Sequence, residues 1–207
     1  MPSDINDTPL LLETIKIEDG VIHNLPYHQE RCTQSRQALY GVTDILELKT
    51  HINPPPKGLY RCRILYEKNI HTIEYIPYVP KIISSLKIIT SEVEYAYKYA
   101  NRNALNSLLT MEKEYDDVLI EKNGYLTDTS IANIAFYDGR QWVTPQDPLL
   151  KGTMRQKLID EGFLQTKQIK IADIVAYTQV ALMNAMLGFK ILKNITITDN
   201  RGTHYDY

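Results

Sequence analysis

Cysteine is scarce in this chain: Cys32 and Cys62 are the only two among 207 residues. Two thiols build neither a disulfide framework nor a four-cysteine metal knot, and they read as reduced thiols of a cytosolic protein. Long apolar runs are missing too. The longest clusters, Leu10-Leu11-Leu12 and Val180-Ala181-Leu182-Met183, fall far below the roughly 20 residues that a membrane-spanning helix needs. No sign of charge dominates: 23 Lys and Arg face 25 Asp and Glu, for a net charge of −2. A surface built to neutralise nucleic-acid phosphates is therefore not expected. Met1-Pro2-Ser3-Asp4-Ile5-Asn6-Asp7 lacks the basic and apolar regions of a signal peptide. Without secretion, the glycosylation pattern Asn194-Ile195-Thr196 carries no meaning. The chain has no Gly-x-Gly-x-x-Gly and no Walker loop, which removes the usual support for dinucleotide or nucleoside-triphosphate binding. Its five histidines never fall at the i, i+4 spacing of a helical zinc site, so no metal is assigned. Ser84-Ser85-Leu86-Lys87 fits a Ser-x-x-Lys pattern, but the Ser-Asp-Asn and Lys-Thr-Gly partners that give that pattern its chemistry are absent.

What the chain does have is tyrosine, 15 of them against three phenylalanines. Tyrosine joins apolar bulk to a polar tip and suits half-wet cavities and subunit interfaces. Apolar alternation predicts a hairpin from Leu10 to Ile17 through Asp19-Gly20 to Val21-Ile22-His23. His28 to Tyr40 reads as a helix closed by Gly41. Pro54-Pro55-Pro56-Lys57-Gly58 is a loop, because consecutive prolines remove backbone donors. A second hairpin runs from Leu59 to Tyr66 and back along Ile70 to Ile76. Its period of two places Tyr60, Cys62, Ile64 and Tyr66 on one face and Arg61 and Arg63 on the other.

Pro77 and Pro80 mark a connection near residues 77 to 85, dividing an N-terminal α/β lobe, 1–84, from a larger strand-rich lobe, 85–207. The second lobe is expected to open with a strand over Leu86 to Thr90 and a helix over Arg102 to Glu114. An antiparallel meander of short strands then runs from Asp117 to Thr144. A helix from Thr153 to Glu161, a strand from Leu164 to Ile169, a short helix near Asp173 and strands near Val180 and Phe189 complete it. The class is α+β.

Three local features bear on chemistry. Lys98 lies among Tyr95, Tyr97, Tyr99, Ala96 and Ala100, a setting that favours partial desolvation and hence a usable amine; a lysine stem lying over aromatics with its head in water is the ordinary alternative. Gly152-Thr153 opens a helix whose N–H groups favour an anion, and Arg31 on the first helix offers a bidentate fork. Asp128, within Thr127-Asp128-Thr129-Ser130, reads either as a functional carboxylate or as a solvated turn residue.

The order of these motifs resembles the class IV aminotransferases, the fold-type IV pyridoxal-phosphate enzymes. Glu13-Thr14-Ile15-Lys16, Asp19-Gly20, His28 and Arg31 match their opening pattern. Lys98-Tyr99-Ala100-Asn101-Arg102 resembles the lysine segment of the 4-amino-4-deoxychorismate lyase branch. Gly124 to Asp128, Ala132-Asn133-Ile134, Thr144-Pro145, Leu150-Lys151-Gly152-Thr153-Met154-Arg155 and Met183-Asn184-Ala185 follow in family order, over residues 10 to 195. The resemblance implies a two-lobed fold like that of D-amino-acid aminotransferase and pyridoxal 5'-phosphate as cofactor. Lys98 becomes the Schiff-base lysine and Arg31 the phosphate arginine. Backbone around Thr153, Met154, Asn184 and Ala185 completes the phosphate site. Asp128 stands where relatives usually carry Glu against the pyridinium nitrogen, a departure of one methylene. A second departure is the short stretch before the first strand, where relatives carry an extra strand and turn. The implied activity is release of pyruvate and p-aminobenzoate from aminodeoxychorismate, a step of folate biosynthesis, by a cytoplasmic homodimer. Amino transfer on branched-chain or D-amino acids is the alternative. A homologue that has lost catalysis and only binds a ligand is a further one. In every case the partner is a small amine or amino-acid-like molecule, with neither nucleic acid nor membrane involved.

Overall fold

Alternation of apolar side chains along Leu11–Glu18 makes a strand with one oily face, and that strand (β1) is the spine of the first of two compact units in this computed structural model. Residues 8–207 are described; the segment Met1 to Asp7, expected to lack a signal peptide, lies outside them. The first unit takes the chain up to Tyr78 together with Tyr97–Asn101, and the second takes Val79–Ala96 and Arg102–Tyr207.

In the first unit β1 turns through Asp19 and Gly20, both at positive φ (48° and 81°), into β2 (Val21–Ile22). That pair of left-handed residues is what a tight hairpin turn demands. Helix α1 (Leu25–Tyr40) starts three residues before the predicted His28, because Pro26 fits the first turn, where an amide N–H has no helical partner. It ends as predicted at Gly41, whose φ of 67° allows its N–H to reach the Gln37 carbonyl. After a single turn, α2 (Leu48–His51), the second hairpin forms from β3 (Leu59–Tyr66) and β4 (Ile70–Pro77). The antiparallel sheet order is β2-β1-β3-β4. Leu11, Ile15 and Ile17 of β1 pack with Cys62, Ile64 and Tyr66 of β3 and with Cys32 of α1. Both cysteines are buried free thiols, and burial pushes each up to about 12.

Tyr97–Asn101 follows residue 85 in sequence yet belongs with the first unit. The Leu12 N–H donates to the Lys98 carbonyl (2.9 Å), the Ala100 N–H donates to the Leu10 carbonyl (2.8 Å), and Leu11 and Tyr99 form an antiparallel bridge. The segment is in effect a short extra edge on β1.

The second unit is strand-rich. Its first strand, β5 (Ser85–Thr90), is followed by α3 (Asn103–Met111), which stops short of the predicted Glu114 where a turn joins the Tyr115 N–H to the Glu112 carbonyl. The predicted meander is present as β6 (Asp117–Lys122), β7 (Tyr125–Thr129), β8 (Asn133–Tyr137) and β9 (Trp142–Pro145), each antiparallel to the next. Strand β8 begins two residues later than expected, because the Ile131 and Ala132 N–H groups donate to the Thr129 hydroxyl and hold a turn. Helix α4 (Thr153–Asp160), β10 (Leu164–Lys167), a 3-10 turn (Ile171–Ala176), β11 (Gln179–Asn184) and β12 (Gly188–Ile191) follow. Two strands absent from the sequence reading, β13 (Thr196–Thr198) and β14 (His204–Asp206), close the chain. The sheet runs β10-β9-β8-β7-β6-β5-β13-β14, with β11 also pairing β8 and β12 pairing β11. β10 on β9, β5 on β6 and β13 on β5 are parallel, so the sheet is mixed. Ser84 and Ser85 donate their hydroxyls to Asp116, which accounts for that serine pair as a structural staple. Among the described residues no helix is long and apolar enough to cross a membrane, and no cluster of three or more His, Cys, Asp or Glu is suited to a metal ion.

Arg36 is 2% exposed, and its guanidinium donates to the Lys68 carbonyl through Nε and Nη2 and to the Asp44 carbonyl through Nη1. It ties the loop after α1 to the β3–β4 turn. Arg36→Met preserves the bulk but strands those carbonyls; the expected loss is about 3 kcal/mol, read as a lower urea midpoint at unchanged slope.

Candidate active site

In the first unit the alternation of β1 puts Glu13 on the same face as Leu11, Ile15 and Ile17, and it is fully buried there. A carboxylate in such a place must find charge-matched donors. Helix α1 brings two, one turn apart. Arg31 forms a two-pronged pair, Nε to Oε1 at 2.8 Å and Nη2 to Oε2 at 2.5 Å. His28, also fully buried, sits with Nδ1 2.6 Å from Oε2. Burial pulls Glu13 upward, but the Arg31 charge and the bonds from His28 and Arg31 outweigh it and hold the carboxyl down at about 2. Burial lowers His28 more than its bond to Glu13 raises it, so the ring stays neutral and donates from Nδ1.

Lys98 belongs to the same neighbourhood. Its backbone is locked to β1 one residue before Glu13, and the Tyr99 N–H closes a tight turn around it onto the Tyr97 carbonyl (2.9 Å). Lys98 is half-buried, the Tyr97 and Tyr99 rings meet edge-on at 6.0 Å, and the lysine charge acts on His28. The first unit thus brings together Lys98 and Arg31, two of the predicted site residues, around a carboxylate.

The second unit gathers the others. Asp128 is no turn residue: it lies within β7, 4% exposed, directly opposite Asn133 of β8. Asn133 Nδ2 donates to its Oδ1 (2.7 Å) and the Leu150 N–H donates to its Oδ2 (2.9 Å). Burial raises the Asp128 carboxyl to about 6, against the lowering effect of those donors and of the Arg155 charge. Gly152 caps α4 without a side-chain bond, buried Thr153 is the first helical residue, and half-buried Met154 follows. Asn184 ends β11; its Oδ1 accepts the Met186 and Leu187 N–H groups and its Nδ2 donates to the Ile131 carbonyl (3.2 Å), which sets the turn that contains Ala185. Since Met183 is the register partner of Asn133, the end of β11 stands next to the start of β8.

Sequence reasoning took Glu13, His28 and Asn133 only as motif positions, without a role of their own, and Gly152 only as the opener of an anion-favouring helix. Glu13 carried a usable signal, a carboxylate on the apolar face of an alternating strand. The close approach of Gly152 to Asn133 carried none, since it arises between separate elements.

The model of the family described as amino-transferase class IV matches residues 10–195. An uncharacterized protein of Haemophilus influenzae is 38% identical over 184 residues, covering 86% of this chain and 98% of its own. A crystal structure from Haemophilus somnus, provisionally named a 4-amino-4-deoxychorismate lyase, superposes with a TM-score of 0.80 at 34% identity, over 87% of this chain and 97% of that one. A Mycobacterium tuberculosis protein described as a hypothetical aminotransferase in PLP-bound form shares the fold, with a TM-score of 0.72 at 15% identity over 94% of this chain and 86% of that one.

The Glu13 cluster makes the first unit acid-sensitive. Both folded-state values lie below their unfolded ones, so each contribution is complete above the unfolded value and is lost as pH falls: from about 6.5 downward for His28, and from 4.5 toward about 2 for Glu13. Glu13→Gln is expected to lower stability at pH 7 by about 2 kcal/mol, because the part-buried Arg31 guanidinium and the buried His28 lose their anionic partner. It should also flatten the stability profile between pH 4.5 and 2, as read by denaturant unfolding at stepped pH.

Proposed function

Because this chain belongs to the amino-transferase class IV family, we propose that it is a pyridoxal 5'-phosphate enzyme whose reaction is that of 4-amino-4-deoxychorismate lyase. The observation that carries the cofactor is the donor set itself. A half-buried primary amine, a guanidinium held along one edge by a buried carboxylate, and a second buried carboxylate backed by neutral donors suit an aldehyde, a phosphate and a ring nitrogen respectively. Asp128 accepts hydrogen bonds but touches no cation, which makes its burial costly.

Lys98 is proposed to carry the cofactor through its amine and, once displaced by a substrate amine, to hold and return a proton at the neighbouring carbon. Arg31 supplies positive charge to the phosphate while Glu13 fixes its orientation. In the second unit the backbone of Thr153, Met154, Asn184 and Ala185 is proposed to offer N–H donors to an anion. Asp128, held by the Asn133 and Leu150 donors, is proposed to keep the ring nitrogen protonated. When bound, the cofactor supplies an electron sink that stabilises negative charge on the substrate carbon beside its nitrogen.

The lyase reading is supported by the Lys98-Tyr99-Ala100-Asn101-Arg102 segment and by the 34% identical structure that carries the lyase name. A cytoplasmic homodimer acting on a small amine in folate biosynthesis is the setting proposed for it.

Purified protein supplied with pyridoxal phosphate is expected to turn yellow, and borohydride should fix the cofactor to the Lys98 peptide by mass spectrometry. Lys98→Ala should take up no covalent label. Incubated with aminodeoxychorismate, the wild type should release p-aminobenzoate and pyruvate in equal amounts. Amino transfer to 2-oxoglutarate without p-aminobenzoate would reject the lyase in favour of an aminotransferase, and the absence of any label would reject the cofactor.

A further inference from the structure

The Asp128 carboxylate is held by a closed loop of hydrogen bonds. Oδ1 accepts from Asn133 Nδ2, that same nitrogen donates to the Leu150 carbonyl (2.9 Å), and the Leu150 N–H returns to Oδ2. Asp128, Asn133 and Leu150 come from β7, β8 and the loop before α4, so the loop ties three separately placed segments to one functional group. The Leu149 backbone adds a further donor. A carboxylate has about four acceptor positions, which leaves capacity for one more N–H.

Asn133 is itself held from the other side. A Cβ built on Gly152 would lie 2.0 Å from Asn133 Oδ1, closer than a Cβ atom tolerates, and 3.2 Å from its Cγ, a tight contact. The backbone of Gly152 is ordinary, with φ −68° and ψ 143°, a conformation open to any residue. Glycine is therefore required here for space alone. The charge that bears on Asp128 is that of Arg155 on α4, 4% exposed, which donates through Nη2 to the Pro145 and Gln146 carbonyls. Its Nε has no hydrogen-bond partner, so Arg155 acts on Asp128 across space and the direct orientation falls to Asn133 and the Leu150 amide.

We propose that Asn133 is a positioning residue that sets the orientation of the Asp128 carboxylate for its ring-nitrogen partner, and that Gly152 is the space that Asn133 occupies. The inference rests on the cofactor reading above and deepens it, making the pair Asn133–Gly152 the device that fixes this carboxylate. Cutting the Asn133 amide removes a donor to the ionised form, so Asp128 should bind its proton more tightly.

The test uses the full-length chain, as wild type, Asn133→Ala, Gly152→Ala and the double variant. The Asp128 carboxyl is titrated by carbon-13 NMR without added cofactor, and pyridoxal phosphate affinity is measured by fluorescence. Both single variants are expected to raise the Asp128 midpoint by about one pH unit, a tenfold tighter proton, and to weaken pyridoxal phosphate about tenfold. Because Gly152→Ala works only by displacing Asn133, the double variant should be no worse than Asn133→Ala alone. Should Asn133→Ala fail to fold, Gly152→Ala carries the same reading, since its backbone accepts alanine. An unchanged Asp128 midpoint in the variants, or additive losses in the double variant, overturns the positioning role while leaving the cofactor assignment standing. A wild type that takes up no pyridoxal phosphate overturns both.

Discussion

Charge cannot be buried without an answer, and the first unit is organised around one such answer. Glu13 sits on the oily face of β1, and only the edge of Arg31 and the Nδ1–H of His28 make that position tolerable. Three consequences follow from this single pairing. Helix α1 is locked in rotation about its axis, because residues 28 and 31 must face the strand together. The guanidinium is held along one edge, which orients the rest of it. And the strap that carries Lys98 binds the same strand, so amine and guanidinium are set by a common scaffold. Preorganisation of this kind is what a charged ligand requires, since the ordering cost is met when the chain folds.

The two buried carboxylates make an instructive contrast. Both are buried and raised by desolvation, yet Glu13 is driven down to about 2 and Asp128 is left at about 6. The difference is contact with a cation. Arg31 touches Glu13 through two hydrogen bonds, whereas Asp128 has only neutral donors in contact and feels Arg155 from a distance. A carboxylate locked to arginine is a permanent anion and suits a structural or orienting task. One balanced near neutrality responds to what is placed beside it and suits exchange of a proton-sharing bond with a ligand.

Much of the architecture was legible because local chemistry and tertiary structure agree. Asp19-Gly20 and Gly41 demand left-handed backbone, and the structure supplies it there. The alternation of β3 sorted Cys62, Ile64 and Tyr66 inward as read. What stayed hidden was non-local. Strand β13 is three residues long and pairs in parallel with β5, whose residues lie more than a hundred positions earlier, so no window of sequence contains the signal. The site divides in the same way. Lys98, Arg31 and Asp128 stood out by residue type and motif order, while Asn133 became meaningful only once β8 was laid against β7 and Gly152 brought to its side chain. For Asp128 the sequence left a functional carboxylate and a solvated turn residue both open, because Thr, Asp and Ser favour turns in isolation; the sheet overrode that preference.

The return of Tyr97–Asn101 to β1 has a bearing on how the molecule is made. The stretch Val79–Ala96 belongs to the other unit, so the polypeptide leaves its first body, begins a second, and comes back before going on. A ribosome that has released only the first hairpins and helix has not yet delivered the strap that finishes their sheet edge. During synthesis that edge stays unmatched for some twenty residues beyond Tyr78, an interval in which another strand can claim it. The placement of Lys98 on that late-arriving piece means that the first body receives this amine only after synthesis of the second has begun.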